Sequence, residues 1–116
     1  MDIEPSIREI EAWAGGRLPQ VYVDALRSHG GTTFDSSVLF YAAEMVIERN
    51  ETFESKSYCP GIIAIGDDGG GLAVVIPLQS ESCPVSLVDH GSMDPEDFHP
   101  IAESLSQWIG LECPIK

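Results

Sequence analysis

Ile62-Ile63-Ala64-Ile65-Gly66-Asp67-Asp68-Gly69-Gly70-Gly71-Leu72-Ala73-Val74-Val75-Ile76 holds two apolar runs separated by two adjacent carboxylates and three consecutive glycines. Each run has the length and composition of a buried strand. Glycine adopts positive φ without steric cost, and Asp-Gly between apolar runs signals a β-hairpin. Three glycines exceed what a two-residue turn requires. The surplus points to a bulge, a close backbone approach or a binding surface.

Working outward, Leu72 to Leu78 is almost continuously apolar, the pattern of a strand covered on both faces. Pro77 limits it to a strand terminus or an edge. After a polar connection over 79–84, Val85-Ser86-Leu87-Val88-Asp89 alternates as a third strand, followed by a loop at His90-Gly91-Ser92-Met93. Asp94-Pro95-Glu96-Asp97 reads as a cap, a proline and first-turn acids. A closing helix is predicted from about Pro100, with Ile101, Ala102, Leu105, Trp108 and Ile109 as its apolar stripe and Gly110 as its stop.

Upstream, Ile7, Ile10 and Ala14 form a helical stripe over 6–14, with Trp13 beside it, Pro5 in the first turn and Gly15-Gly16 at the end. Leu18-Pro19 opens a second helix that buries Val21, Tyr22, Ala25 and Leu26 and ends after His29 at Gly30-Gly31. Ser37 to Tyr41 is a short strand leading into a helix over 42–50 whose apolar side is Ala43, Val46 and Ile47. The segment 52–58 is expected to be irregular, and Cys59-Pro60-Gly61 is a turn into the first central strand. Segregated helices and strands imply an α+β fold with a mainly antiparallel sheet, N-terminal helices and a C-terminal helix, in one domain over 1–116.

The chain has 116 residues, 43% of them hydrophobic, and a mean hydropathy near zero. That is enough for a core without disulfide or metal staples. No apolar run approaches the roughly 18 residues of a membrane span, and Met1-Asp2-Ile3-Glu4-Pro5 lacks the layout of a signal peptide. Cys59, Cys83 and Cys113 are odd in number and widely spaced, so they read as reduced thiols of a cytoplasmic protein.

Charge is the most informative property. Nineteen acids against six bases give a net charge of −13. Arg8, Arg17, Arg27, Arg49 and Lys56 all precede Ser57. From Ser57 to Ile115 there are nine carboxylates and no lysine or arginine. This distribution repels phosphate backbones and excludes direct nucleic-acid binding. It suits either fast capture of a basic partner or simple solubility.

Sites of chemistry are sparse. Asp67 and Asp68, with Asp89, Asp94 and Asp97, offer hard oxygens, but calcium loops space their ligands at alternating positions. The cysteines and histidines lack zinc spacing. A phosphate-cradling loop requires a lysine and a helix start where this chain has two acids and a strand. Asp89-His90 is not a dyad, because neighbours at a strand end point to opposite faces. No catalytic residue, cofactor or metal is assigned.

Three segments in order nevertheless resemble one family. Leu18-Pro19-Gln20-Val21-Tyr22 through Leu26 to His29-Gly30-Gly31 resembles the L-P-x-x-Y…L…x-G-G helix of SUKH-superfamily domains, the Smi/Knr group. Leu39-Phe40-Tyr41 and the helix after it are similar to that family's strand–helix segment, and Ile65 to Gly71 to its I-G-D-D-G-G-G hairpin. Pro84 to Gly91 and Ile101 to Ile109 resemble its closing strand and helix. Leu72 departs from the Asp or Asn that often follows the glycines, and Leu105 from the usual Phe of the last helix.

The resemblance implies a binding protein and not an enzyme. Bacterial members are regarded as immunity proteins that neutralise a cognate toxin, often a nuclease or deaminase. Fungal members are regulatory interaction modules. On the first reading the partner is a basic toxin protein and the chain is monomeric. The contacts are expected from loop acids after the central strands: Asp67, Asp68, Asp89, Asp94, Glu96 and Asp97. For Asp67, a turn residue bonding its own backbone is the competing role. The alternatives are a regulatory module without a toxin and a small acid-based hydrolase.

Overall fold

Five strands lie side by side in the order in which the chain makes them, and every neighbouring pair is antiparallel. This computed structural model describes residues 3–115; Met1, Asp2 and Lys116, which entered the leader and charge arguments, lie outside the described residues. The elements are α1 (Glu4–Ala14), α2 (Gln20–His29), β1 (Leu39–Phe40), a 3-10 turn (Ala43–Met45), α3 (Val46–Phe53), α4 (Ser55–Tyr58), β2 (Ile62–Asp67), β3 (Leu72–Pro77), β4 (Val85–Asp89), a second 3-10 turn (Pro95–Asp97), β5 (His99–Ala102) and α5 (Leu105–Gly110). The expected α+β architecture is thereby observed.

The central hairpin behaves as its composition requires. Ile63, Ala64 and Ile65 of β2 are buried in succession, as are Ala73, Val74, Val75 and Ile76 of β3. Consecutive burial means that both faces of the sheet are covered. Pro77 closes β3, so its missing N–H interrupts no ladder. Around this hairpin the core gathers Ile10 of α1, Tyr22 and Leu26 of α2, Phe40, Val46, Leu105 and Trp108. Tyr22 meets Phe40 edge-on, with ring centroids 6.2 Å apart.

α1 carries Pro5 in its first turn and ends on Gly15 in the left-handed conformation at φ 80°, whose N–H bonds Glu11 O. A Glu11 carboxylate oxygen then accepts the Leu18 amide at 2.8 Å and ties the end of α1 to the start of α2. α2 begins at Gln20, with Pro19 as the residue before it.

Three expectations are corrected. The closing helix does not start near Pro100: residues 99–102 form β5 on the outer edge of β4, with Leu87 opposite His99 and Val85 opposite Ala102. An edge strand tolerates Pro100, and the helix signal lies at Ser104, whose hydroxyl accepts the Gln107 amide at 3.2 Å. The segment 52–58 is not irregular, because α3 runs on to Phe53 and α4 follows after Glu54 takes a left-handed conformation at φ 58°. Buried Ser55, bonded to Asn50, anchors this second helical piece. The strand expected over 37–41 is shorter, since Ser37 adopts a turn conformation at φ 75° and only Leu39 and Phe40 pair with β2.

The outer edge of β2 is completed in an unusual way. β1 covers it at Gly66 and Asp67, and the Tyr41 amide reaches Ile65 O at 2.9 Å. At Ala64 the strand partner is a side chain. Asn50 Oδ1 accepts the Ala64 amide at 2.8 Å, and Asn50 Nδ2 donates to Ala64 O at 2.9 Å. The same carboxamide bonds Val46 O and the Ser55 hydroxyl. All of its hydrogen-bonding capacity is used in a fully buried position.

Candidate functional site at the acidic end of the sheet

In an antiparallel meander, alternate connections fall at the same end of the sheet. The β2–β3 turn and the β4–β5 connection therefore lie together. Asp67 is opposite Ala73, Leu72 is opposite Asp89, and the His90 amide donates to Gly71 O at 3.0 Å. This topology collects Asp67, the last residue of β2 and not the loop residue expected, with Asp68 of the turn after it, and Asp89, the last residue of β4, with Asp94, Glu96 and Asp97 of the connection that follows. Sequence separation hides the grouping, and strand order creates it. Glu81 lies on the β3–β4 connection at the opposite end.

Within this end, most of the carboxylates build their own loops. Asp67 accepts the Tyr41 hydroxyl at 2.6 Å through one oxygen and the Gly69 amide at 2.9 Å through the other. Asp68 Oδ1 accepts the Gly70 and Leu72 amides at 2.8 and 3.0 Å. Asp89 accepts from Gly91, Asp94 from Glu96, and Asp97 from the Ser92 hydroxyl. Apart from the long-range bond from Tyr41 to Asp67, these are local bonds of the kind short acidic side chains make in turns. Among the described residues Glu96 makes no such bond.

The glycines divide by task. Ile65 is the extra residue of a β-bulge, since Ala64 pairs with Val75 and Gly66 with the next residue, Val74. A Cβ on Gly66 would overlap the Leu39 carbonyl oxygen, so Gly66 permits the close approach of β1. Gly69 and Gly71 hold φ values of 77° and 114°, which side chains rarely adopt. Gly70 alone needs neither, because a Cβ there would meet only Asp68 carboxylate atoms at ordinary distance.

Beside this end lies a cleft of about 370 Å³ lined by Arg49, Thr52, Phe53, Asp67, Gly71 and His90, among others. His90 stacks on Phe53 with centroids 5.0 Å apart and planes 17° from parallel. The Arg49 guanidinium lies 5.9 Å from the centre of the Tyr41 ring. Burial, reinforced by the hydrogen bond to Asp67, pushes the Tyr41 hydroxyl well above the ordinary phenol range, so Tyr41 remains a donor to Asp67 at all physiological pH values. Among the described residues, no group of three or more His, Cys, Asp or Glu side chains is placed to hold a metal. No helix in the described residues is long and apolar enough to cross a membrane.

The sequence profile of the SMI1 / KNR4 family (SUKH-1) matches residues 4–110, nearly the whole chain. The protein belongs to the SUKH-1 family. The matched span runs from the first residue of α1 to the last of α5, so it contains every element described above. No individual curated protein matches this SUKH-1 chain.

Sequence reasoning named the six acids that strand order groups at this end, but not the cleft beside them, whose Arg49 and Phe53 come from α3. It also missed Asn50. A signal existed, since Asn50 follows Ala43, Val46 and Ile47 on the same helical stripe. A polar carboxamide on a buried stripe demands partners.

Proposed function

We propose that this SUKH-1 protein is an immunity protein that binds and neutralises a cognate bacterial toxin through the acidic end of its sheet. SUKH-1 members are commonly of the immunity type. The observation that carries the reading to this surface is the gathering of six carboxylates at one end of the sheet, in a half of the chain without lysine or arginine before Lys116. Such a field accelerates encounter with a basic protein and disfavours acidic partners.

The partner is a protein toxin, and the action is occlusion or locking of the toxin, with no bond made or broken by the immunity protein. Co-expression with a toxin found encoded beside it is expected to rescue growth, and the purified pair to associate faster at low salt. Asp68→Asn, Asp89→Asn and Asp94→Asn keep the acceptor oxygen of each turn while removing charge. Together with Glu96→Gln they should slow association about tenfold at low ionic strength. An association rate indifferent to both salt and these substitutions would refute the electrostatic part. Absence of binding and of rescue would refute the immunity role.

A further inference from the structure

The cleft between α3 and the two acidic loops has a polarity opposite to its rim. Both oxygens of Asp67 are already engaged, by Tyr41 and Gly69. The Thr52 hydroxyl donates to Glu48 O at 2.9 Å. Arg49, in contrast, makes no hydrogen bond or ion pair among the described residues, and its Nε is buried without a partner. The His90 ring is held by stacking on Phe53 and likewise makes no hydrogen bond. The unused capacity of the cleft is therefore chiefly donor: the guanidinium fork and an imidazole N–H.

We infer that the cleft receives an aspartate or glutamate side chain of the protein partner, paired with Arg49 and flanked by His90. This deepens the immunity reading and rests on it. A guanidinium pairs best with a planar carboxylate, which takes two parallel N–H bonds. A phosphate is disfavoured, because its second charge would face Asp67 of the lining within the acidic field of the rim. The cleft opens directly beside the acidic rim, so a docked surface would present bases to the rim and one acid to its centre. This alternation fixes register. A partner lacking the acid would cover Arg49 and leave its charge without a counter-ion, which penalises the wrong partner.

The test needs no toxin, so its outcome is separable from that of the rescue experiment. N-acetyl-glutamate α-amide and N-acetyl-glutamine α-amide are titrated into the ¹⁵N-labelled full chain at constant ionic strength, following Arg49 Nε–H and the amides of Gly69, Gly70, Gly71 and His90. Saturable shifts are expected with the glutamate probe alone. Its Kd should weaken about tenfold in Arg49→Gln, a loss near 1.4 kcal/mol, and less in Arg49→Lys. Unchanged spectra elsewhere show that both variants are folded. No saturation up to the solubility limit, equal response to the glutamine probe, or unaltered binding in Arg49→Gln overturns the inference. Tighter binding of inorganic phosphate overturns the choice of carboxylate, and acetate binding as tightly as the glutamate probe overturns the choice of a partner side chain.

Discussion

Asn50→Ala tests how far a single carboxamide substitutes for a missing strand. Truncation removes the bonds to Ala64 N–H and Ala64 O and the one to the Ser55 hydroxyl, all at 2.8–2.9 Å and all in the dry interior. A buried donor or acceptor left unpaired costs about 1–3 kcal/mol. Three such groups, with partial relaxation, give an expected loss of about 3–5 kcal/mol, a large part of the 5–15 kcal/mol typical of a domain. With an m-value of roughly 1.5 kcal/mol/M, the urea midpoint should fall by about 2–3 M. The assay is equilibrium unfolding read by tryptophan fluorescence, from Trp13 and from Trp108, which is buried with its indole N–H on Pro114 O. Asn50→Asp sharpens the test. Its second oxygen would face Val46 O and Ala64 O, so only the protonated acid can donate there. Burial would raise its folded pKa, and its contribution would be present at low pH and lost as pH rises. The deficit of Asn50→Asp should therefore deepen from about pH 4 to pH 7. A loss below about 1 kcal/mol for Asn50→Ala at unchanged m-value would refute the strand-substitute reasoning.

Two further outcomes follow from the loop glycines and the buried thiols. Gly66→Ala should destabilise by about 2–3 kcal/mol, seen as a thermal midpoint lower by roughly 10 °C, because its Cβ meets the Leu39 carbonyl. Gly70→Ala should stay within about 0.5 kcal/mol of the parent, and equal effects at the two sites would contradict the division of roles. Burial pushes the Cys83 thiol up to about 11 and the Cys113 thiol up to about 12, from an ordinary value near 9. Folded values above unfolded ones mean that this contribution is complete below about pH 9 and is lost as pH rises towards 11 and 12, by at most about 1.4 kcal/mol per pH unit for each thiol. Urea midpoints falling between pH 9 and pH 10.5 are expected, and a flat profile there would show that the thiols are not sequestered.

Much of this was readable because local chemistry and tertiary demand agree. Two apolar runs around Asp-Asp-Gly-Gly-Gly return on each other as a hairpin, but the bulge and the close approach expected of the surplus among Gly69, Gly70 and Gly71 lie before them, at Ile65 and Gly66. The failures lie where a tertiary partner outweighs local periodicity. Ile101 and Ala102 fit a helical stripe with Leu105, yet the free edge of β4 recruits them as a strand. Thr52 to Tyr58 looks irregular until Asn50 and Ser55 are seen to pin it to β2. The six acids were expected on loops after strands; Asp67 and Asp89 are instead the last residues of β2 and β4. Their convergence on one end required the strand order, and the cleft required α3 to cross that end.

The competing roles of the acids, turn formation and partner contact, are physically compatible. A carboxylate that accepts one or two amides at 2.7–3.0 Å, as Asp68 and Asp89 do, has lost its rotamer freedom before any partner arrives. A charge already immobilised adds no ordering cost on association, so turn formation makes these groups better contacts. Glu96, without such a bond, remains a steering charge whose loss should alter the association rate and little else. The rim thus contains two kinds of acid that sequence alone does not separate. Asp→Asn separates them experimentally, because the carboxamide oxygen preserves the turn while the charge disappears. A slower on-rate at unchanged stability assigns the charge to the partner and the oxygen to the fold.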